Sequence, residues 1–276
     1  GGVHRGQEAA FIGHDELACL VAQADFRQLV GLCQCRQRAF AQPGSQVGRR
    51  LERQLVIRMR DDLAGRVVGG GAGRIGLLER AAKLPGIKGV YFATAVRDRE
   101  LSDRSFWPVY ERCEALGLPI FLHPMMINNE RLKQFYLINL CGNPFDTAIA
   151  ASHLIYGGVL DAFPKLEVSL PHAGGVLPIL RGRLDRGFHT RAECKTIPRP
   201  PSEYLKRFTY DTISYNEEIM DDLIKLVGID RILMGSDFCF DIAYEEPVKF
   251  VNGMKSLNEA QREKILWSNA ARYLKL

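Results

Sequence analysis

The sequence predicts an α/β protein with a (β/α)8 TIM-barrel-like fold, incomplete or atypical at its N-terminus. Three observations predict it. After residue 75, short apolar strand patterns alternate with helix patterns about five times. The strands are apolar on both faces, as in a parallel sheet covered by helices. Ionisable residues stand at the C-terminal ends of separate strands, at His123, His172, Asp211 and Asp237. A barrel assembles its active site at that rim. A doubly wound open sheet shares the same alternation and is the other candidate architecture.

Residues 75–84 have the spacing of a short amphipathic helix, ended by Pro85-Gly86. KGVYFAT (88–94) is a β-rich run. Apolar positions 106, 107, 109, 110, 113 and 116 form a helix pattern with Gly117 as its stop, and Trp107 and Tyr110 read as core packing. PIFLHP (119–124) is a strand ending in His-Pro. Residues 147–159 are helical up to Gly157-Gly158. LEVSLPHAGG (166–175) is a strand ending in Pro-His, and 177–188 is helical. RFTYDT (207–212) is a strand, and 216–227 a helix closed by Gly228. RILMGSDF (231–238) ends in Gly-Ser-Asp, and helices over 244–255 and 259–274 complete the pattern.

Composition excludes several classes. With 276 residues, 46% hydrophobic and 25% charged, the chain has the ordinary globular mixture, not that of a disordered or collagenous one. A net charge of +5 over this length does not indicate a nucleic-acid partner. No run of about 18 apolar residues predicts a transmembrane helix. No basic stretch leads into an apolar one at the start, so a cytoplasmic protein is expected. HDEL at 14–17 is a retention signal only at a C-terminus. The seven cysteines read as free thiols in a reducing compartment.

Residues 1–82 hold twelve Arg, eight acids, no Lys, and only Pro43 among prolines. A domain boundary, a basic interaction arm and out-of-frame translation of a GC-rich gene each fit that shift. We divide the chain into an atypical Arg/Gly-rich segment, 1–74, and a barrel region, 75–276. GAGRIG (71–76) fits the Gly-x-Gly-x-x-Gly string, but only a two-residue apolar run precedes it, so it reads as a glycine-rich loop. Cys33-x-Cys35 has no second pair at zinc-ribbon spacing. RRLERQLVIRMRDDLAGR (49–66) reads as a basic helix, with a solvated face or a partner surface as its roles.

His123 and His172 each follow an apolar strand, and Ala-Gly-Gly after His172 lets backbone or ligand come close. Asp237 ends a run as apolar as Ile-Leu-Met, where a carboxylate needs a partner. A divalent metal or an arginine would serve. Imidazole with carboxylate suits zinc, or manganese or iron.

NPFDTAIAASHLIYGGVLDAFPKLEVSLPHAGGVLPILRGRLDRGF (143–188) resembles the amidohydrolase-related branch of the metal-dependent hydrolase superfamily. Within it the likeness is to 2-amino-3-carboxymuconate 6-semialdehyde decarboxylase and related aromatic-acid decarboxylases. GIKGVYFAT, FWPVYERCEALGLPIFLHP, RILMGSDF and WSNAARYLKL extend the likeness over roughly residues 75–276. The resemblance implies a barrel, a homodimer and a metal-dependent carboxy-lyase acting on an aromatic or muconate-like carboxylate. It implies His123 and Asp237 as metal ligands, with zinc expected and manganese the alternative. It makes His172 the acid–base histidine and Arg183 an arginine that pairs with substrate carboxylate in a neighbouring subunit, Arg181 lying two residues away. The family's first strand supplies two more ligands from an Asp-x-His-x-His motif. This sequence has no His-x-His, and its only upstream histidines are His4 and His14. Hydrolysis or hydration on the same metal site, or a catalytically inert family member, are the alternatives.

Overall fold

The computed structural model describes residues 55–59, 72–96, 99–124, 127, 129–238 and 240–276. The segments 1–54 and 60–71, with His4, His14, HDEL and Cys33-x-Cys35, lie outside the described residues. The described residues hold eight strands: β1 (Leu55–Met59), β2 (Ile87–Ala93), β3 (Ala95–Val96), β4 (Arg99–Glu100), β5 (Ile120–His123), β6 (Val168–Leu170), β7 (Phe208–Asp211) and β8 (Ile232–Leu233). Six of them form one sheet in the order β1-β2-β5-β6-β7-β8, and β3 and β4 form a separate antiparallel ribbon. Every pair in the large sheet is parallel. The spatial order follows the chain without reversal. A doubly wound sheet reverses at a switch point, so this is the single winding direction of a barrel wall.

Helices fill the crossovers that parallel strands require. In chain order they are α1 (Ala72–Ala82), α2 (Trp107–Leu116), α3 (Asn143–Tyr156), α4 (Val159–Ala162), α5 (Leu177–Thr190), α6 (Pro201–Tyr204), α7 (Glu217–Val227), α8 (Pro247–Gly253), α9 (Glu259–Glu263) and α10 (Asn269–Tyr273). Proline opens α2, α3 and α5 in the first turn, where its missing N–H costs nothing. Asn216 caps α7 by accepting the Ile219 N–H. No helix among the described residues is long and apolar enough to cross a membrane.

Three expectations need correcting. Within 49–66, read as a basic helix, Leu55–Met59 is a strand paired with β2. Four apolar residues in five satisfy both readings, and pairing in a sheet decides between them. GAGRIG is not a loop throughout, because α1 begins at Ala72 inside it. The helix expected over 259–274 is broken by a π-helical turn at Lys264–Ser268, as α3 is preceded by one at Ile138–Gly142. Such a turn shifts the side-chain phase.

Phe92, Phe106, Tyr110 and Phe163 form one aromatic group within the core, with Phe92 and Phe106 edge-to-face at 5.9 Å. Tyr110 is buried and donates its hydroxyl to the Leu101 carbonyl at 2.8 Å. Trp107 meets Phe163 edge-on at 5.1 Å. At the N-terminal ends of the strands the last helix closes the bottom of the wall. Tyr273 packs edge-on against Phe121 of β5 at 5.5 Å. Asn269 donates to the carbonyls of Ile229 and Ile232, both at 2.8 Å. Lys275 donates to the Gly117 carbonyl at 2.8 Å, and Lys88 to the Lys275 carbonyl at 3.0 Å.

Candidate active site

With one end closed, the opposite rim carries the chemistry. His123 is the last residue of β5, in register with Ala93 of β2. His172 follows β6 after Pro171, in a short helical turn over His172–Gly174. Asp211 is the last residue of β7, and Asp237 lies four residues beyond β8. His172 Nε2 stands 4.0 Å from Asp237 Oδ2, with the two side chains only 16% and 12% exposed. The His123 ring is flanked by Tyr91 at 5.2 Å and by Phe240, stacked at 6.2 Å.

The backbone at this rim is held in conformations ordinary side chains avoid. His172, Ala173, Tyr215 and Asp237 all have φ between 52° and 57°, in the left-handed region. Asp211 fixes the first of these. Its Oδ2 accepts the His172 N–H at 3.1 Å, and its Oδ1 accepts the N–H groups of Ala173 at 2.8 Å and Ile213 at 3.0 Å. Gly174 and Gly175 are required by space as well as by φ. A Cβ at Gly175 would lie 2.1 Å from the Pro144 carbonyl oxygen, and one at Gly174 2.6 Å from the Tyr210 ring.

Burial, and then the nearby charge of His123, pull the His172 imidazole down to about 4. It is therefore neutral at pH 7. Burial, and then the charge of Asp211, push the Asp237 carboxyl up to about 7. Burial pushes Asp211 up to about 6 against the lowering effect of its three amide hydrogen bonds. Among the described residues no lysine or arginine pairs with Asp237, and His172 Nδ1 is buried without a hydrogen-bond partner.

Arg183 lies exposed on α5. No hydrogen bond or ion pair joins it to His123, His172 or Asp237 among the described residues. Arg181 differs, because its guanidinium donates to the Pro178 carbonyl of its own helix at 2.5 Å. No group of three His, Cys, Asp or Glu side chains among the described residues is close enough to hold one metal ion. Thus His172 and Asp237 meet, His123 is near enough to act on His172, and the three do not form a single coordination shell. In the sequence Asp211 shows only as a strand end. Its hold on the His172 loop is a contact across 39 residues that no motif signals. No sequence motif marks Tyr215 or Phe240.

Comparison with known proteins agrees with this architecture. The amidohydrolase family model matches residues 21–276, and the chain belongs to that family. Its fold is accordingly the family's α/β barrel, of which the six in-order strands form the wall. The chain is 32% identical over 194 residues to 2-amino-3-carboxymuconate-6-semialdehyde decarboxylase of Dictyostelium discoideum, covering 69% of this chain and 54% of that protein. It is 33% identical over 184 residues to gamma-resorcylate decarboxylase of Polaromonas sp., covering 62% and 55%. The chain thus spans about half the length of the curated relatives it matches. Among solved structures, dihydroxybenzoic acid decarboxylase from Polaromonas sp., with bound manganese and the inhibitor 2-nitroresorcinol, superposes with a TM-score of 0.66 at 26% identity. That match covers 74% of this chain and 65% of the other.

Proposed function

We propose that this chain is a metal-dependent decarboxylase acting on an aromatic or muconate-like carboxylate. The observation that carries the reading is the pairing of His172 with Asp237 at 4.0 Å on the barrel rim, in a chain whose relatives are named as decarboxylases. His172 is the acid–base residue, Asp237 both its partner and a metal ligand, and His123 the second ligand.

The residues fit a divalent ion in kind. Asp237 is a largely buried carboxylate with no cationic side chain beside it among the described residues, a situation that favours a cation partner. Imidazole and carboxylate suit zinc or manganese. Zinc is the first choice from the donor types, and the manganese in the Polaromonas structure supports the alternative. In number His123 and Asp237 fall short, since catalytic zinc sites use about three protein ligands plus water. Such an ion, when bound, would polarise substrate oxygens and draw off negative charge.

The chain's own side chains supply the rest. His172 is neutral at rest; held opposite Asp237 by the Asp211 clasp on its backbone, it takes up a proton from solvent at Nε2 and delivers it to the ring carbon that bears the carboxylate. The carbon–carbon bond then breaks, its electron pair returns to the ring, and CO2 leaves. No redox cofactor takes part.

The same reading includes a homodimer. Phe145 and Ile149 on α3 and Ile179 on α5 are exposed at 49%, 43% and 76%, and Arg183 lies on the same α5. An apolar face of this kind suits burial against a second copy, from which Arg183 would pair bidentately with substrate carboxylate in the neighbouring site. The decisive assay is CO2 release from aryl carboxylates by protein loaded with zinc or manganese. Water addition without CO2 would overturn the carboxy-lyase reading, and a metal content that stays well below one equivalent after reconstitution would overturn the metal-dependent one. Mixing Arg183→Ala with His172→Asn protein should restore turnover that neither has alone. Failure to restore it would remove Arg183 from the site.

A further inference from the structure

A second feature lies beside the rim and takes no part in the chemistry above. Asp237 opens a loop that folds back on itself, with the Tyr244 N–H donating to the Ser236 carbonyl at 2.7 Å. Tyr244 is thereby returned to within one residue of Asp237 along the barrel edge. Its ring meets Tyr215, from the loop after β7, at 5.7 Å with a 34° tilt, and Phe250 of α8 edge-on at 5.2 Å. Tyr215, Tyr244 and Phe250 form one wall of an open groove of about 610 Å³. Tyr215 is the link to the reacting residues. It stands two residues beyond Ile213, whose N–H donates to Asp211 Oδ1 at 3.0 Å, the carboxylate that also holds the His172 backbone. The left-handed backbone at Tyr215 is a conformation a loop keeps where the surroundings enforce it.

The groove's charge is lopsided. Glu217, Glu245, Glu246 and Lys249 line it. Lys249 is already paired with Glu246 at 2.8 Å, and Glu217 accepts the Lys255 N–H. A ligand entering it meets aromatic faces and a carboxylate-rich edge. The volume falls in the range of small-molecule sites.

We propose that this groove is the subsite for the end of the substrate remote from the reacting carboxylate, that Tyr215 and Tyr244 set specificity there, and that it takes a neutral or cationic aryl extension and rejects a second carboxylate. The inference rests on the decarboxylase reading for the placement of the first carboxylate and deepens it. Of the two classes that reading allows, the proposal selects an extended aromatic monocarboxylate over a muconate-like dicarboxylate.

Three probes test it by calorimetric titration of the intact chain: benzoate, biphenyl-4-carboxylate and biphenyl-4,4′-dicarboxylate. The second ring should tighten binding about tenfold over benzoate, from stacking and apolar burial. In Tyr215→Ala and Tyr244→Ala that ratio should fall to about threefold or less. The dicarboxylate should bind about fivefold more weakly than the monocarboxylate, and the Glu245→Gln/Glu246→Gln pair should narrow that gap. Melting curves of each variant separate a lost contact from a lost fold. A ratio unchanged in both tyrosine variants, a dicarboxylate that binds as well as the monocarboxylate, or no binding of any probe would overturn the proposal. Failure of the decarboxylase reading looks different: the length ratio persists and responds to the tyrosine variants, but no CO2 is released.

Discussion

Left-handed backbone occurs at both ends of the strand layer, and different residues adopt it at each. In the turns that lead from helix into strand it falls on glycine: Gly86 before β2, Gly117 before β5 and Gly228 before β8. In the loops that leave the strands it also falls on side chains: Phe135 and Tyr136 after β5, His172 and Ala173 after β6, Tyr215 after β7 and Asp237 after β8. Glycine adopts positive φ at little cost, while other residues are strained there by about 1–2 kcal/mol. At the closed end the exception is Lys275, at φ 52° in the chain's last turn. The rim keeps two strained, largely buried, ionisable groups, His172 and Asp237, whose value is chemical.

The largest effect that would break this contrast is at the rim. His172→Asn and Asp237→Asn should each lower turnover by at least about a hundredfold, while the melting temperature of Asp237→Asn stays at or above that of the parent, because a poorly paired buried charge is removed. A variant that loses stability and keeps turnover would reverse the assignment of the two ends. At the opposite end, Gly117→Ala should cost about 2 kcal/mol, read from urea unfolding, and leave turnover unaltered. The cost is the strain of positive φ and the loss of the Lys275 hydrogen bond to the Gly117 carbonyl, because the added Cβ would stand 1.9 Å from Lys275 Nζ and push that flexible side chain aside.

Alkaline stability sharpens the comparison from the framework side. Burial pushes the Cys113 thiol from 9.0 up to about 12. The unfolded thiol therefore releases its proton first. Its contribution to stability is whole below pH 9 and is lost as pH rises from 9 toward 12. One such group corresponds to about 1.4 kcal/mol per pH unit in that window. Between pH 8 and pH 10, Cys113→Ala should lose about that much less unfolding free energy than the parent, and an equal loss in both would contradict the burial of Cys113. At Gly228 an added Cβ meets nothing within 4 Å, so Gly228→Ala isolates backbone strain. Its φ of 92° with ψ of 149° lies where glycine alone is at ease, and the substitution should cost about 1–3 kcal/mol by the same unfolding measurement.

Much of this was legible before any coordinates. β5, β6 and β8 show as apolar runs that stop at His-Pro, Pro-His and Gly-Ser-Asp, β7 stops at Asp211, and those stops are the rim. The cap at Asn216 and the stops at Gly117 and Gly228 are local chemistry, which a sequence displays directly. What escaped is non-local or a matter of phase. Leu55–Met59 has the composition of a strand inside arginine-rich flanks that also fit a helix, and only its pairing with β2 decides. The π-turn at Lys264–Ser268 slips the periodicity by one residue, so 259–274 reads as continuous. The site was legible as a set of strand ends, while its mutual geometry was not. The 4.0 Å approach of His172 to Asp237 joins residues 65 positions apart, and no spacing rule could tell that His123 acts on His172 without sharing one shell with both.

Asp211 has a mechanical consequence. A single carboxylate grips three amides drawn from two successive loops, those of His172 and Ala173 on one side and Ile213 on the other. The two loops are thereby yoked. A molecule that tugs on the segment after β7, where Tyr215 sits two residues beyond Ile213, pulls through that grip on the backbone of the proton-carrying histidine, so occupancy at the outer edge of the barrel can be felt at its reacting centre.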